Sequence, residues 1–432
     1  MTGTFPAKLN AVRHRIDADL LVPGRGAAQR DATVVLDGGM ISYVGLASGA
    51  PVADVTTRVP VLMPGMWDCH GHFTGLRTAN LEDVVRVPPV VAAARAVKDA
   101  EAALQAGFTS IREAGGIGLE IARVVDEGTV AGPTIYAAGA ILSMTAGHGD
   151  LHAFPLDVVH AYAETGGLLQ LADGVPECLR AVRLQLRRGA KVIKVCASGG
   201  VTSELDDPVH QQFSGEELRA IVEEAARAGR VVMAHCHGKA GIMAALEAGC
   251  HTIEHGSYLD REAADLMAER GAVLVPTRFI IERLLAFGRT SAMPEYSYRK
   301  MQVIADSHLT AIATAHAAGV RIALGTDIFM SGADMPVPWG ANGGEVPLLV
   351  AAGLSAAEAV EAATANGPLT LGPQAPRSGI LEIGYDADVI AVTGDPLVDP
   401  AVLACADNVT HVWKAGTLVK GTTHAAAVPA AG

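Results

Sequence analysis

The sequence predicts an α/β fold, a (β/α)8 TIM barrel carrying a small β-sandwich built from both chain ends. Three observations point there. Between about residue 63 and residue 372, one phrase recurs: a short apolar strand with a polar end, a loop, and an Ala-rich helical stretch. Eight such strands can be counted, the number that a closed parallel barrel requires. The two flanks lack this rhythm and read as short strands and hairpins.

In chain order the candidate strands are VLMPGMWDCH, GFTSIREAG, PTIYAAG, KVIKVCASGG, VVMAHCH, HTIEHGS, AVLVPTR and RIALGTD. Stretches such as GEELRAIVEEAARAG and KAGIMAALEAG separate them and carry apolar residues at helical spacing. A doubly wound open sheet would share this alternation, but no G-x-G-x-x-G follows the first strand, and Gly115, Gly116 and Gly118 make a weak substitute. At the N-terminal flank, ATVVLDGGMISYVG reads as a hairpin turning at Asp37, Gly38 and Gly39. Near the C-terminus, DADVIAV and VTHVWKAGTLVKG read as further strands. The expected division is residues 1–62 and 373–432 for the two parts of the sandwich and 63–372 for the barrel, with a frayed tail after 420.

Composition bounds the function. The chain has 432 residues, 50% of them hydrophobic but only 4% aromatic, which suits a core of small aliphatic side chains. A net charge of -13 and the lack of a basic patch argue against a nucleic-acid partner, whose phosphates need Lys and Arg. The N-terminus lacks the apolar core of a secretory signal, and no run of 18 apolar residues occurs, so a soluble cytoplasmic protein acting on a small molecule, away from membranes, is expected. Six cysteines without a C-x-x-C pair do not make a disulfide framework; Cys69, Cys196 and Cys236 read as buried thiols.

The strand ends carry the chemistry. Alternation along a strand puts His70 and His72 on the inner side and turns Cys69 away. One His-x-His is a common accident. Further polar residues nevertheless stand at later strand ends: Lys194 on the fourth, His235 and His237 on the fifth, His255 on the sixth and Asp327 on the eighth. Each alone reads equally well as a satisfied core histidine, a snorkelling lysine or a helix-capping aspartate. Five coincidences in register on one barrel rim are a different matter.

The phrases GMWDCHGH, GFTSIREAGG, TAGHGD, IKVCASGG, QFSGEELRAIVEEAARAG, MAHCHG, IEHGS, ALGTD and GILEIGYDADVIAVTGDPL together resemble the amidohydrolase superfamily of metal-dependent hydrolases. The nearest members are the imidazolonepropionase-like and prolidase-like (Xaa-Pro dipeptidase) ones, and the likeness runs along nearly the whole chain. It implies cleavage of a C–N bond in an amide, dipeptide, N-acyl amino acid, aryl amide or phenylurea. It implies His70, His72 and Asp327 as ligands of one metal, His235 and His255 as ligands of a second, and Lys194 as a carbamylated bridge, with Lys191 a bystander. It also implies a homo-oligomer.

Charge supports the modified lysine independently of the resemblance. A free ammonium, with a pKa of about 10.4, would repel two dications, whereas its carbon dioxide adduct is an anionic two-oxygen ligand. Two zinc ions are expected, although manganese, iron or cobalt also suit such N/O donors. Zinc lowers the pKa of bound water to roughly 7, so a hydroxide shared by the two ions would be the nucleophile. Asp327 would take its proton and pass it to the leaving nitrogen.

Other roles stay more open. His148, flanked by Gly147 and Gly149, is a candidate oxyanion stabiliser, with a flexible loop histidine as the alternative. His237, Tyr258 and Arg278 are candidate substrate contacts, Arg278 through a bidentate grip on a carboxylate or else as an ordinary ion pair. Glu113 stands where the family more often has Asp, as a partner for Arg112 or a supporting residue, and Asp68 reads as structural support for the ligands. The long segments SMTAGHGDLHAFPLDVVHAYAETGG and FMSGADMPVPWGANGGEVP are expected to wall the substrate pocket. A cyclic-amide or imidazolone hydrolase and a mononuclear deaminase are the alternative enzymes, the bridging lysine arguing against the latter. A non-catalytic barrel scaffold is the alternative of another class.

Overall fold

A computed structural model of the chain describes residues 12–288 and 293–422. Most of the tail after 420 lies outside them. The N-terminal flank forms β1 (His14–Leu21), β2 (Gln29–Asp37), β3 (Met40–Leu46) and β4 (Val55–Pro64). There follow β5 (Met66–Leu76), β6 (Phe108–Glu113), β7 (Thr134–Ala137), β8 (Ile141–Ser143), β9 (Leu169–Leu171) and β10 (Ile193–Cys196). Then come β11 (Val232–Cys236), β12 (Thr252–His255), β13 (Val273–Val275), β14 (Arg321–Ile322) and β15 (Ile328–Met330). The C-terminal flank adds β16 (Val389–Val392), β17 (Val409–Lys414) and β18 (Thr417–Lys420).

Both flanks meet in one seven-stranded mixed sheet ordered β18-β17-β16-β4-β1-β2-β3, a single hydrogen-bonded sheet built from both chain ends where a sandwich was expected. The β2–β3 hairpin turns at Gly38 and Gly39, as its Asp-Gly-Gly sequence demands. One face of the sheet is sealed by Ile16, Leu21, Val34, Leu36, Leu62, Val389 and Trp413.

The strand expected at VLMPGMWDCH is two strands. Pro64 has no amide hydrogen to continue a ladder. Beyond it the amide of Gly65 donates to Asp388 O (2.9 Å) beside the mixed sheet, and that of Met66 donates to Gly107 O (2.9 Å) beside β6. Successive amides thus enter different sheets.

The remaining strands form two sheets of parallel strands, β14-β13-β12-β11-β10-β8-β9 and β15-β5-β6-β7. Backbone hydrogen bonds join them on both sides. Cys69 N donates to Leu324 O (2.8 Å) and Asp327 N to His70 O (2.6 Å) at one junction, and Lys191 N donates to Ala137 O (2.9 Å) at the other. All eight expected strands are present; β8, β9 and β15 were not expected. Each of these has only three residues, too few for a period to show. The helix Leu156–Glu164 likewise lies inside a stretch expected to be loop.

Helices between the strands follow the sequence pattern. Gly215–Arg227 begins at a capping box in which Ser214 and Glu217 satisfy each other's backbone amides, and it buries Leu218, Ile221 and Ala225 along one stripe. Lys239–Ala248 ends at Gly249 in the left-handed conformation. Among the described residues no helix is long and apolar enough to cross a membrane.

Candidate metal centre

Two clusters of potential ligands lie at the C-terminal ends of the parallel strands. His70, His72 and Asp327 bring ligand atoms within 4.8 Å of one another, and so do His235, His237 and His255. Lys194 joins them: its Nζ is 3.4 Å from His70 Nε2, the side chain is buried, and it makes no ion pair among the described residues. The ligand residues expected from sequence are therefore together.

Backbone geometry explains how. His70 and His72 alternate along β5 on either side of Gly71, where a Cβ would come 2.6 Å from the Trp339 ring. That ring also stacks on Phe73 at 4.5 Å, so this tryptophan of the long last loop supports the His-x-His strand from behind and is not part of the cavity wall. Asp327 reaches the histidines because residues 324–327 run on beside β5, and its Oδ1 lies 3.2 Å from His72 Nε2. His255 and Asp327 both have positive φ, 69° and 60°. Non-glycine residues avoid that region, and its occupation at two ligand positions is backbone strain held by the surrounding structure.

Every imidazole is anchored by a nitrogen that does not face its neighbours. His70 Nδ1 meets Glu254 Oε2 (2.6 Å), His72 Nδ1 meets Gly115 O (2.8 Å) and His255 Nδ1 meets Thr277 Oγ1 (2.7 Å). His237 Nδ1 meets Ser257 Oγ (2.7 Å), and His235 uses the other nitrogen, Nε2, on Gly199 O (3.1 Å). Such anchoring fixes the ring angle, and where the partner is a carboxylate or carbonyl it also fixes the tautomer and leaves the other nitrogen's lone pair for a cation. Burial, then the Lys194 charge, pushes His70 down to about 4. Burial and the neighbouring histidines hold His235 and His255 well below the usual range. Neutral rings are the ligand form. The donor set, two clusters of imidazoles with a carboxylate and a central lysine, fits divalent metal ions.

Glu254 escaped the sequence reading. It is fully buried, takes two 2.8 Å hydrogen bonds from Arg112 Nη2, and holds His70. Burial alone would raise its pKa, but Arg112 and His70 outweigh burial and hold it down to about 2. Its position in IEHGS was the available signal, masked because strand alternation points it opposite to His255. The positive φ of His255 brings that ring back to the same interior.

The other candidates separate. Asp68 accepts from His70 N (3.0 Å), Thr326 N and Oγ1 (3.1 and 2.5 Å) and Asn342 Nδ2 (2.7 Å), tying β5 to the strand end that carries Asp327. Cys69 faces away toward Gly367 O (3.8 Å), and burial pushes its thiol up to about 12. Glu113 does not pair with Arg112; it accepts from Gly118 N (3.1 Å), and burial raises it to about 8. The Arg278 guanidinium is taken by Glu282 and by Ala305 O (2.7 Å), and the side chain does not line the cavity. Tyr258 lies off the cavity too. His148 does line it, stacked on His235 with ring centres 4.3 Å apart.

Above the clusters opens a cavity of about 90 Å³. Its apolar lining is Leu81, Ile141, Leu168, Val201, Ile280, Ile281, Leu284, Met301, Ile304 and Phe329, joined by Thr74, Cys196, Thr202 and Thr277. Lys194, beside the ligands, is the one cationic side chain among the described residues that line it, so nothing on the wall offers a carboxylate a counter-charge.

Comparison with known proteins matches residues 61–419 to the model of the amidohydrolase family. Ochratoxinase of Aspergillus niger is 48% identical over 423 residues, covering 94% of this chain and 86% of the relative. The crystal structure of A. niger ochratoxinase superposes with a TM-score of 0.88 over 96% of both chains at 47% identity. A prolidase crystallised with N-methylphosphonate-L-proline superposes with a TM-score of 0.87 at 33% identity, covering 95% of this chain and all of that one.

Proposed function

We propose a two-metal mechanism and an apolar amide substrate for this chain, which belongs to the amidohydrolase family and is a metal-dependent hydrolase of carbon–nitrogen amide bonds. The observation that carries the proposal is the placing of two ligand clusters on either side of Lys194 beneath an apolar cavity. His70, His72 and Asp327 would hold one ion and His235 and His255 the other. Lys194 would bridge them as a carbamate, and zinc is the ion best suited to this donor set. Burial lowers the Lys194 pKa, and the neutral amine is the form that adds to carbon dioxide. A carbamate on Lys194 would add an anionic donor beside His235 and His255, and His237 would then be free to contact substrate. The ions supply Lewis acidity and make water acidic enough to attack at neutral pH.

The chain's own residues do the rest. Asp327, held anionic by His72 and His70 although burial opposes this, takes a proton from the attacking water and delivers it to the leaving nitrogen. Glu254 and Gly115 keep His70 and His72 aimed while charge shifts between them. The wall residues exclude water and hold an apolar acyl, aryl or side-chain group. With Arg278 engaged by Glu282, an anchoring arginine for a substrate carboxylate is not part of this reading.

The same reading joins the two parallel sheets into one closed barrel over residues 63–372, with 1–62 and 373–432 forming the small domain; the backbone bonds at both junctions support it. A hydrolysis screen of N-acyl amino acids, dipeptides, aryl amides and phenylureas, with zinc and bicarbonate supplied, tests the substrate class. Turnover confined to amides with a bulky apolar group is expected. Turnover of small polar dipeptides alone would refute it.

A further inference from the structure

The loop between β10 and the helix Gly215–Arg227 is wrapped around a cation that belongs to another element, Lys300 of the helix Glu295–Ala317. Lys300 Nζ donates to the carbonyls of Ser203 (2.7 Å), Asp206 (2.5 Å) and Gly200 (3.3 Å) and lies 3.2 Å from Asp206 Oδ1. Every third carbonyl of the loop thus converges on one ammonium. The Asp206 carboxylate closes the loop on itself: Oδ2 accepts from Gly200 N (2.8 Å) and Gln212 Nε2 (3.2 Å), and Oδ1 accepts from Ser203 Oγ. The same helix reaches the loop once more, where Tyr296 Oη donates to Thr202 O (3.4 Å).

Three carbonyl oxygens and a carboxylate oxygen aimed at one point repel one another, and in a half-buried loop each needs a donor. An ammonium has three hydrogens and no acceptor, so it serves all three carbonyls at once and offsets the carboxylate charge. The loop's shape therefore depends on a residue 100 positions from Gly200. Both partners of this clamp contribute to the cavity. Val201 and Thr202, between the clamped carbonyls, line it, and so do Met301 and Ile304 of the lysine's own helix, while Lys300 itself stays outside the lining. One ammonium thus joins two parts of the lining and sets the gap between them.

We propose that Lys300 is a specificity-determining positioning residue: by fixing the loop 200–206 against the helix Glu295–Ala317, it keeps the cavity preformed for a bulky apolar group of the substrate. The inference rests on the apolar-amide reading above. A loop that the substrate had to order would weaken binding by the entropy lost in ordering it. Held by Lys300, the loop is ordered before substrate arrives. This gain is the same for bound substrate and for the transition state, so it falls on KM and leaves kcat alone. A small polar substrate, which does not reach Val201, draws no benefit from it.

The test follows hydrolysis of N-benzoyl-phenylalanine and of N-acetylglycine by the zinc-loaded enzyme. Lys300→Ala is expected to raise KM for the benzoyl substrate by about tenfold with kcat nearly unchanged, and to leave KM for N-acetylglycine as it was. Added propylammonium, which replaces the deleted atoms, is expected to reverse the rise, whereas tetramethylammonium, of equal charge but without an N–H, is not. Equal recovery with both ions would overturn the proposal. Val201→Ala leaves the clamp untouched and should also raise KM for the benzoyl substrate, by about tenfold; an unchanged KM there would overturn the proposal even if Lys300→Ala failed to fold. A preference for the benzoyl substrate that survives Lys300→Ala at full metal content would remove this inference alone. A wild-type enzyme that prefers N-acetylglycine would remove the apolar-substrate reading, and this inference with it.

Discussion

At the floor of the cavity each imidazole has one nitrogen fixed by a protein acceptor or hydroxyl, His70 by Glu254, His72 by Gly115 and His255 by Thr277. Higher up, Ile280, Ile281, Leu284, Met301 and Ile304 present only hydrocarbon and thioether surface. The floor comes from strand ends, and this part of the wall from the helices Arg278–Phe287 and Glu295–Ala317. The contrast teaches a division of labour: geometry enforced by hydrogen bonds sets the reaction, and non-directional apolar contact sets what may react. If that is right, substitutions in the two regions should change different kinetic constants.

The largest effect is expected at the centre of the floor. Lys194→Ala should lower kcat by about a thousandfold or more, because on the two-metal reading it would remove the bridging anion and weaken the hold on its ion together. Partial recovery with a small added carboxylate, read in steady-state assays, would mark the loss as one of charge and ligation. Next, Glu254→Gln should leave the fold intact but weaken metal binding by about 10- to 100-fold, as loss of a ligand's supporting partner does; competition against a metal chelator measures it.

Wall substitutions should act on KM. Leu284→Ala is expected to raise KM for an apolar amide by about tenfold with kcat nearly unchanged; an equal fall in kcat would show that the wall also positions the reacting bond. A further prediction concerns stability and two buried carboxylates with opposite shifts. Burial raises Glu113 to about 8 from its ordinary 4.5, so the folded chain keeps a proton that the unfolded chain has lost. Stability should therefore fall as pH rises between those values, by on the order of 1 kcal/mol per pH unit, and level off above them. Glu113→Gln should flatten that decline in Tm between pH 5 and pH 8, whereas Glu254, held low, contributes no decline there.

The same contrast explains what could be read in the sequence. The grouping of His70, His72, Lys194, His235, His255 and Asp327 was legible because each ends a strand of recognisable pattern, and parallel strands set their ends on one side. Their supports were less visible. Glu254 contacts His70 across 184 positions of sequence, and the positive φ at His255 defeats simple alternation. Arg278 sat at a strand end like the ligands, but it opens a helix whose fourth following residue, Glu282, captures it, an i,i+4 pairing that outcompetes a reach into the cavity. The wall had no motif, since Leu, Ile and Met at helical spacing look the same whether they face a core or a substrate.

The central claim is that two ions, bridged through Lys194, act together at the floor. It is tested most directly by stripping the enzyme with a chelator and titrating zinc back in the presence of bicarbonate while following both bound metal and amide hydrolysis. Activity should climb until two equivalents are bound per chain. Full activity at one equivalent, with no further gain on binding the second, would contradict the account.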